Sequence, residues 1–564
     1  MSLSPSLQFD TVIVGAGSAG CLLANRLSAD PNHRVLLLEA GGEDDWFWIK
    51  IPVGYLYTIA NSRTDWCFKT EPDPGLNQRS IHYARGRVIG GSSSINAMIY
   101  MRGQASDYAR WVELTGDSTW DWSHSLATYK NLEDYFAGAN DWHGDQGEMR
   151  VERPRVQWEI LDAWREAARE QGIPKIEEFN RGDNEGCAYF QMTQKKGVRW
   201  SMADAYLHPI RHRKNLTIWT KAQALQLNII KTSLQTQNQH ALQQGAWYGA
   251  KHEVSGLEVL HDRQKKTVEA RDQVILAAGS IGSPQLMQVS GIGSHSHLQS
   301  IGVPTHIDLP GVGENLQDHL QIRTVYKVEN CKTVNTLYKN WLTRFGMGLE
   351  YALRRTGPLT MPPSTLGAFT KSDPQQTSAN IEWHVQPLSL PKFGEPLHPF
   401  NAITPSVCNL RPSSRGWIRA RTPDIQMHPQ IQCNYLSTAD DLAVAVNSLQ
   451  ITRQIMASPA LQKYAPQEVL PGKELQSDRD LENAARDLGT TIFHPVSTCA
   501  MGKVNERGEA ENPKTVLDSE CRVRGVARLR VVDASAMPCI TSGNTNAPVM
   551  LIAQTVANKI LASR

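Results

Sequence analysis

The sequence predicts a chain of the α/β class, α+β when taken whole. A Rossmann-like nucleotide-binding domain is joined to a second domain built on an antiparallel sheet backed by helices. Three observations predict it. Phe9 to Glu39 reads as strand, glycine turn, helix, second strand and acid, the order of a dinucleotide fingerprint. Gln273 to Ala278 is an apolar run ending at Gly279, as a buried parallel strand does when its C-terminal end points at a ligand. From His319 to Thr490 short strand-like runs alternate with helical stretches.

Composition narrows the classes. The 564 residues call for more than one domain. A formal net charge of +2 implies neither a nucleic-acid nor an anionic-membrane partner. Met1 to Gln8 lacks the charged start and apolar stretch of a signal peptide. No apolar run approaches the roughly 18 residues of a membrane span. The nine cysteines include no CxxC pair, so neither a disulfide framework nor a metal site is expected. The expected compartment is the cytoplasm, with peripheral attachment at the inner membrane left open. Oligomeric state is not encoded in these features.

The fingerprint explains itself residue by residue. Phe9 to Val14 is the strand, and Cys21 to Ala29 carries Leu22, Leu23, Arg26 and Leu27 at helical spacing. Gly15 allows the tight turn, Gly17 lets the backbone approach a pyrophosphate, and Gly20 lets helix and strand pack closely. The helix start at Ser18 and Ala19 offers free N–H groups and positive dipole to phosphate. Val35 to Leu38 leads to Glu39, nineteen residues beyond Gly20, which can accept hydrogen bonds from ribose hydroxyls, with Ala40 behind it. The motif does not separate FAD from NAD; its place at the start of the chain points to a tightly held FAD.

Gly41 to Ser80 is loop-like and aromatic, either a cofactor cover or a surface excursion with its own small core. Arg87 to Met98, with Gly90, Gly91, Ser92, Asn96 and Ala97, reads as a tight turn and the start of a capped helix. Trp122 to Phe136 and Trp158 to Gln171 are helical in composition, and Asn215 to Ala222 is a strand. Val254 to Val268 reads as two strands around a charged turn, and Pro310 to His319 as a turn-rich bridge. Asn380 to Gln386, Pro405 to Leu410 and Gly416 to Arg421 are strands, and Asp440 to Ala457 is a helix.

Five stretches carry a resemblance. Arg85 to Met98 resembles the first signature of the glucose–methanol–choline oxidoreductases, and Gly279 to Gly293 the second. His494 to Gly502, Val531 to Ser535 and Ser542 to Pro548 match the C-terminal pieces, all in the expected order over nearly the whole chain. The closest look is to bacterial choline-dehydrogenase-like, FAD-dependent alcohol dehydrogenases. The resemblance implies a cofactor domain made of 8–155, 198–318 and 517–564, and a substrate domain made of 156–197 and 319–516. It implies FAD contacts from Ala222, through its backbone, and from Asp533, Ala534 and Asn546. His494 falls at the catalytic base and Asn544 at the second active-site position. Phe493 falls where choline-specific relatives place an aromatic cage residue.

The chemistry suits those residues. Alcohol oxidation removes a proton from oxygen and a hydride from carbon. A histidine suits the proton step, because its ordinary pKa lies near neutrality. An amide cannot be the base, but it can hold the substrate oxygen. Some choline oxidases link FAD through a His just before the signature Asn. Ile95 stands there, so FAD is expected to be held non-covalently. The expected reaction is oxidation of a primary alcohol to an aldehyde. The electron acceptor is a quinone, a soluble acceptor or oxygen. Choline is the alternative substrate, and a lyase or photodecarboxylase of the same fold is the second alternative. Leu410 before Arg411-Pro412, where photodecarboxylases carry Cys, and the presence of His494 argue against light-driven decarboxylation.

Overall fold

The computed structural model describes residues 7–232, 245–391 and 395–563. Residues 1–6, most of the stretch read for a leader, lie outside it. Two eight-stranded sheets organise the described chain.

The first sheet holds the fingerprint. β1 (Leu7–Val14), α1 (Ser18–Leu27) and β2 (Val35–Leu38) form the expected unit, with β1 and β2 parallel and β2 wholly buried. β3 (Gln264–Leu276) is one strand of 13 residues. The sequence suggested two here, because the charged stretch Glu269–Asp272 interrupts the apolar pattern. The structure runs through it: β3 pairs antiparallel with His252–His261 through its first half and parallel with β1 through the rest. Asp262 and Arg263, both at positive φ, make the two-residue turn between them. Across the sheet the order is Leu216–Trp219, β2, β1, β3, His252–His261 and Ala222–Lys231, with Leu529–Val531 returning beside β3. The strand expected over Asn215 to Ala222 is broken at Lys221 (φ 52°), so Ala222 opens a new strand. α2 (Gly279–Val289) leaves the C-terminal end of β3, as the second signature requires.

The second sheet is antiparallel throughout. Its centre is β4 (Leu320–Arg323), β5 (Ile381–Gln386) and β6 (Ala402–Asn409), with every residue of β5 buried. α3 (Ala439–Met456) packs on β6 and carries Leu449 and Ile455 into the core beneath it. This is the expected antiparallel sheet backed by helices. Trp417–Arg419 stands apart from both large sheets and pairs with Gln430–Gln432.

Three local readings change. The helix from Trp122 ends at Leu132, and Glu133–Tyr135 becomes a strand beside Met149–Val151. Glu133 is drawn inward by Arg102 (2.5 Å) and His143 (3.0 Å), all fully buried, and this overrides helical composition. The turn after Gly90 gives only one 3₁₀ turn, Gly91–Ser94. Its serines bond backwards, Ser93 Oγ to Gly90 O (2.6 Å) and Ser94 Oγ to Ile89 O (2.7 Å), instead of capping a helix. Gly41 to Ser80 contains short helical turns and the strand Phe68–Lys69, and Ile59, Trp66 and Phe68 line the central cavity, which favours the cover reading. The last helix, α4 (Asn546–Ala562), packs against α1 and was unread beyond its first residues.

Candidate functional site

One cavity runs between the two sheets and collects most of the candidate residues. At its first end lie Gly15, Gly17, Ser18 and Ala19 from the β1–α1 turn, and Glu39 and Ala40 beyond β2. Gly91, Ser92, Asn96, Ala97 and Ala222 face the same space. Asp533, Ala534 and Asn546 line it from the C-terminal segment, and Phe493, His494 and Asn544 close the far end. Gly20, Arg87 and Gly90 do not line it. Gly20 lies where a Cβ would come 1.9 Å from Gly15 O, so it serves helix–strand contact. The Arg87 guanidinium covers the Trp66 ring at 4.7 Å, and Gly90 N donates to Ala16 O (2.8 Å).

The first end fits the two phosphates of a dinucleotide. α1, α2 and α4 all begin on the cavity at Ser18, Gly279 and Asn546, and none is capped by the side chain of its own N-cap residue, though Asp533 reaches the first N–H of α2. Uncapped N–H groups and three positive helix ends converge there. Ser18 Oγ donates to Asn546 Oδ1 (2.7 Å), fixing two of those ends to each other. A Cβ on Gly91 would lie 2.6 Å from Gly17 Cα, so the first signature touches the fingerprint turn backbone to backbone. Both acids of this region are already tied to main chain. Glu39 accepts from Ala16 N (3.1 Å) and Gly41 N (2.8 Å), and burial pushes its carboxyl up to about 7. Asp533 accepts from Gly279 N (2.8 Å), Ser283 Oγ (2.6 Å) and Ser535 N (2.8 Å), so it secures the start of α2. Burial raises its pKa.

At the far end a chain of hydrogen bonds assigns the imidazole tautomers. His319 Nε2 lies 3.1 Å from Leu410 O, a carbonyl that can only accept, so Nε2 carries the proton and Nδ1 its lone pair. His494 Nδ1 lies 3.0 Å from that lone pair and must donate to it. His494 Nε2 therefore keeps its own lone pair, and Asn544 Nδ2 donates to it at 3.0 Å. All of this is buried. Desolvation holds His494 well below the ordinary imidazole range, with His319, His384 and Arg85 adding to the effect, and desolvation takes His319 down to about 4. Two buried polar atoms beside this chain, Asn544 Oδ1 and His384 Nδ1, have no partner among the described residues.

The backbone at His494 is held for this purpose. Phe493 has φ 66°, unusual for a bulky residue, and its N–H donates to Thr491 Oγ1 (2.7 Å). Asp318 accepts His494 N–H (2.8 Å) together with hydroxyls of Tyr83 (2.8 Å), Tyr435 (2.5 Å) and Thr491 (2.6 Å). Arg85 Nη2 donates to Phe493 O (2.5 Å). Sequence reasoning missed Asp318, His319 and His384. The first two lie in the turn-rich bridge, where Asp-His was visible but nothing indicated that it meets residue 494. His384 sits mid-strand, in a pattern that reads simply as core.

The comparisons match this architecture. The family model for the N-terminal part of GMC oxidoreductases matches residues 9–321, and that for the C-terminal part matches 412–553. The chain is 37% identical to an alcohol dehydrogenase [acceptor] of Pseudomonas putida, over 98% of this chain and 96% of that one. It is 36% identical to the mitochondrial choline dehydrogenase of Mus musculus, over 98% and 89%. The solved pyridoxine 4-oxidase from Mesorbium loti superposes with a TM-score of 0.84 at 32% identity, covering 98% of this chain and 99% of that one. The chain therefore belongs to the GMC oxidoreductase family and is an FAD-dependent enzyme that oxidises CH–OH groups.

Proposed function

We propose that the enzyme oxidises neutral primary alcohols to aldehydes, with His494 Nε2 taking the hydroxyl proton. The observation that carries this is the run Leu410 O–His319–His494–Asn544, which leaves an imidazole lone pair at the cavity end. The depressed pKa of His494 keeps that nitrogen unprotonated at neutral pH, with Asn544 Nδ2 donating to it until the substrate hydroxyl takes that place. Asn544 orients the imidazole and, with His384 Nδ1, offers the polar contacts that hold the substrate oxygen. The uncapped starts of α1 and α4 hold the pyrophosphate of FAD, and Glu39 faces its ribose. Bound FAD supplies the hydride acceptor. Phe493 covers the carbon side of the substrate. In this reading segments 8–155, 198–318 and 517–564 form the cofactor unit, and 156–197 and 319–516 the substrate unit.

Charge supports a neutral substrate over choline. Among the described residues lining the cavity the acids are Glu39 and Asp533, both bound to main-chain N–H groups at the phosphate end. The groups near His494 are Gln321, Gln386, Ser364 and His384, with Arg85 behind Phe493. The carboxyls nearby, Asp318 behind His494 N–H and Glu382 at 3.2 Å from His384 Nε2, do not line the cavity, and burial favours their neutral forms; a quaternary ammonium would meet the like charge of Arg85 instead. FAD is held non-covalently in this reading, since Ile95 offers no nucleophile to the cavity it lines.

An anaerobic visible spectrum tests both points. Aliphatic and aromatic primary alcohols should bleach the flavin and choline should not; bleaching by choline at comparable concentrations would overturn the substrate class. Denaturation should release free flavin into the supernatant. Readmitting air then separates an oxidase from a dehydrogenase by whether colour returns without an added acceptor.

A further inference from the structure

The helix Trp341–Arg354 presents its apolar side to solvent. At 3.6 residues per turn, Trp341, Leu342, Phe345, Leu349 and Leu353 fall within about 120° of arc. They are 67%, 58%, 65%, 49% and 75% exposed. Tyr351, on the opposite side, is the one buried residue of the helix, and its hydroxyl donates to Gly197 O (3.2 Å). The stripe continues into a second segment. Tyr338 lies with its hydroxyl 3.4 Å from that of Tyr57, Tyr57 stacks on Trp48 (4.1 Å), and Trp48 packs against the exposed Phe47 (4.7 Å). Single exposed apolar side chains are ordinary on a protein surface; a contiguous stripe marks an interaction face.

Local charge selects the occupant. From 332 to 355 the exposed cations are Lys332, Lys339, Arg344, Arg354 and Arg355; Arg344 edges the stripe with its guanidinium over the Tyr338 ring (5.2 Å) and Lys339 stands just before the helix, while Arg354 and Arg355 lie towards Tyr351 on the other side. The acid in this span, Glu350, accepts from Thr356 Oγ1 (2.9 Å) and is packed against Gly357. We propose that this face seats on a membrane surface carrying anionic lipid. The helix would lie in the plane of the interface, with Trp341, Phe345 and the leucines at the acyl boundary and the basic side chains on the headgroups. A second copy of the same face would set these cations against each other. No helix among the described residues is long and apolar enough to cross a membrane, so the attachment lies on the bilayer. The same face borders the catalytic cavity: Ile59, just after Tyr57, and Pro363 and Ser364, beyond the helix, line it. The membrane is therefore positioned to deliver a lipid-dissolved alcohol, or a lipid-dissolved quinone that takes up the two electrons and two protons to become a quinol. The attachment itself does not depend on the roles assigned to His494 and Asn544.

Co-sedimentation of the full flavin-loaded chain with vesicles tests this. The chain should pellet with mixed phosphatidylglycerol–phosphatidylcholine vesicles, more weakly at high salt, and not with phosphatidylcholine alone. The combined variant Trp341→Ser, Phe345→Ser, Leu349→Ser should lose vesicle partition by about tenfold or more, given the apolar area withdrawn. It should keep alcohol-dependent reduction of a water-soluble dye. Lys339→Glu with Arg344→Glu should abolish the preference for anionic vesicles. Absence of wild-type binding to the anionic vesicles overturns the proposal, and so does unchanged binding by both variants. A wild-type dimer that the serine variant dissociates, without vesicle binding, would make the face a self-interface and overturn it equally.

Discussion

His494 is useful only in one tautomer, and the residue that sets it is His319. With Nδ1–H of His494 held on the His319 lone pair, the basic nitrogen faces Asn544 and the cavity. His494→Ala should lower the rate of flavin reduction by alcohol by about 10²–10⁴, the range for losing a positioned base, while flavin stays bound. Stopped-flow reduction under anaerobic conditions measures it. His319→Leu removes the acceptor, so His494 can turn its lone pair to the wrong side, and reduction should slow by about tenfold or more, as for a lost charge-orienting bond. His319→Asn supplies an amide oxygen at the same place and should recover part of the rate. Equal rates in the two variants would mean that His319 only fills space. Asp318 acts one step further back. Its four hydrogen bonds keep the left-handed turn at Phe493 that aims His494 inward.

At the scale of elements, the cofactor end depends on glycines where two backbones touch. Gly91 has φ 54°, and its added Cβ would stand 2.6 Å from Gly17 Cα, which is main chain and cannot step aside. Gly91→Ala should therefore push the first signature away from the start of α1 and strip flavin from the purified protein. The ratio of visible flavin absorbance to protein absorbance reads this directly. The fingerprint was legible because its strand, turn, helix and acid are contiguous and periodic, and β1, α1 and β2 formed as expected. β3 was not, because a strand that changes partners midway needs no single hydrophobic period: Gln264–Glu269 belongs to a hairpin and Gln273–Leu276 to a buried parallel core. Glu133–Tyr135 was not legible either. Its conformation is fixed by a buried ion network whose members lie at 102, 133, 143 and 178.

At the scale of the whole molecule, averages concealed what positions reveal. A net charge of +2 argued against an anionic surface, yet Lys339 and Arg344 stand at the edge of one exposed apolar helix. Motifs located His494 and Asn544, whereas His319 sits at the end of the bridge just before β4 and His384 in β5, and only the fold sets them beside residue 494. That meeting has a consequence for stability. Three imidazoles are buried where they cannot easily be protonated: His319 is taken down to about 4, His384 to about 3, and His494 well below its usual value, in each case first by desolvation. The unfolded chain binds these protons near pH 6.5, while the folded chain does not, so acidification favours unfolding. The stability these neutral groups contribute is full above pH 6.5 and is lost as pH falls towards their folded values. For His319 alone the loss is about 3 kcal/mol by pH 4, from a separation between the two states of about 2.5 pH units. Glu39 works in the opposite direction over part of this range, because its raised pKa favours the folded state as pH falls from 7 to 4.5. Asp533, Asp318 and Glu382 are raised by burial as well and act in the same direction as Glu39, so the imidazole contribution is read as a difference between wild type and a His319 variant. Between pH 6.5 and 4.5 the melting temperature of the flavin-loaded wild type should fall as its buried imidazoles are forced to charge. His319→Asn, which carries no titrating group, should flatten that fall; an unchanged slope in this variant would assign the acid sensitivity elsewhere.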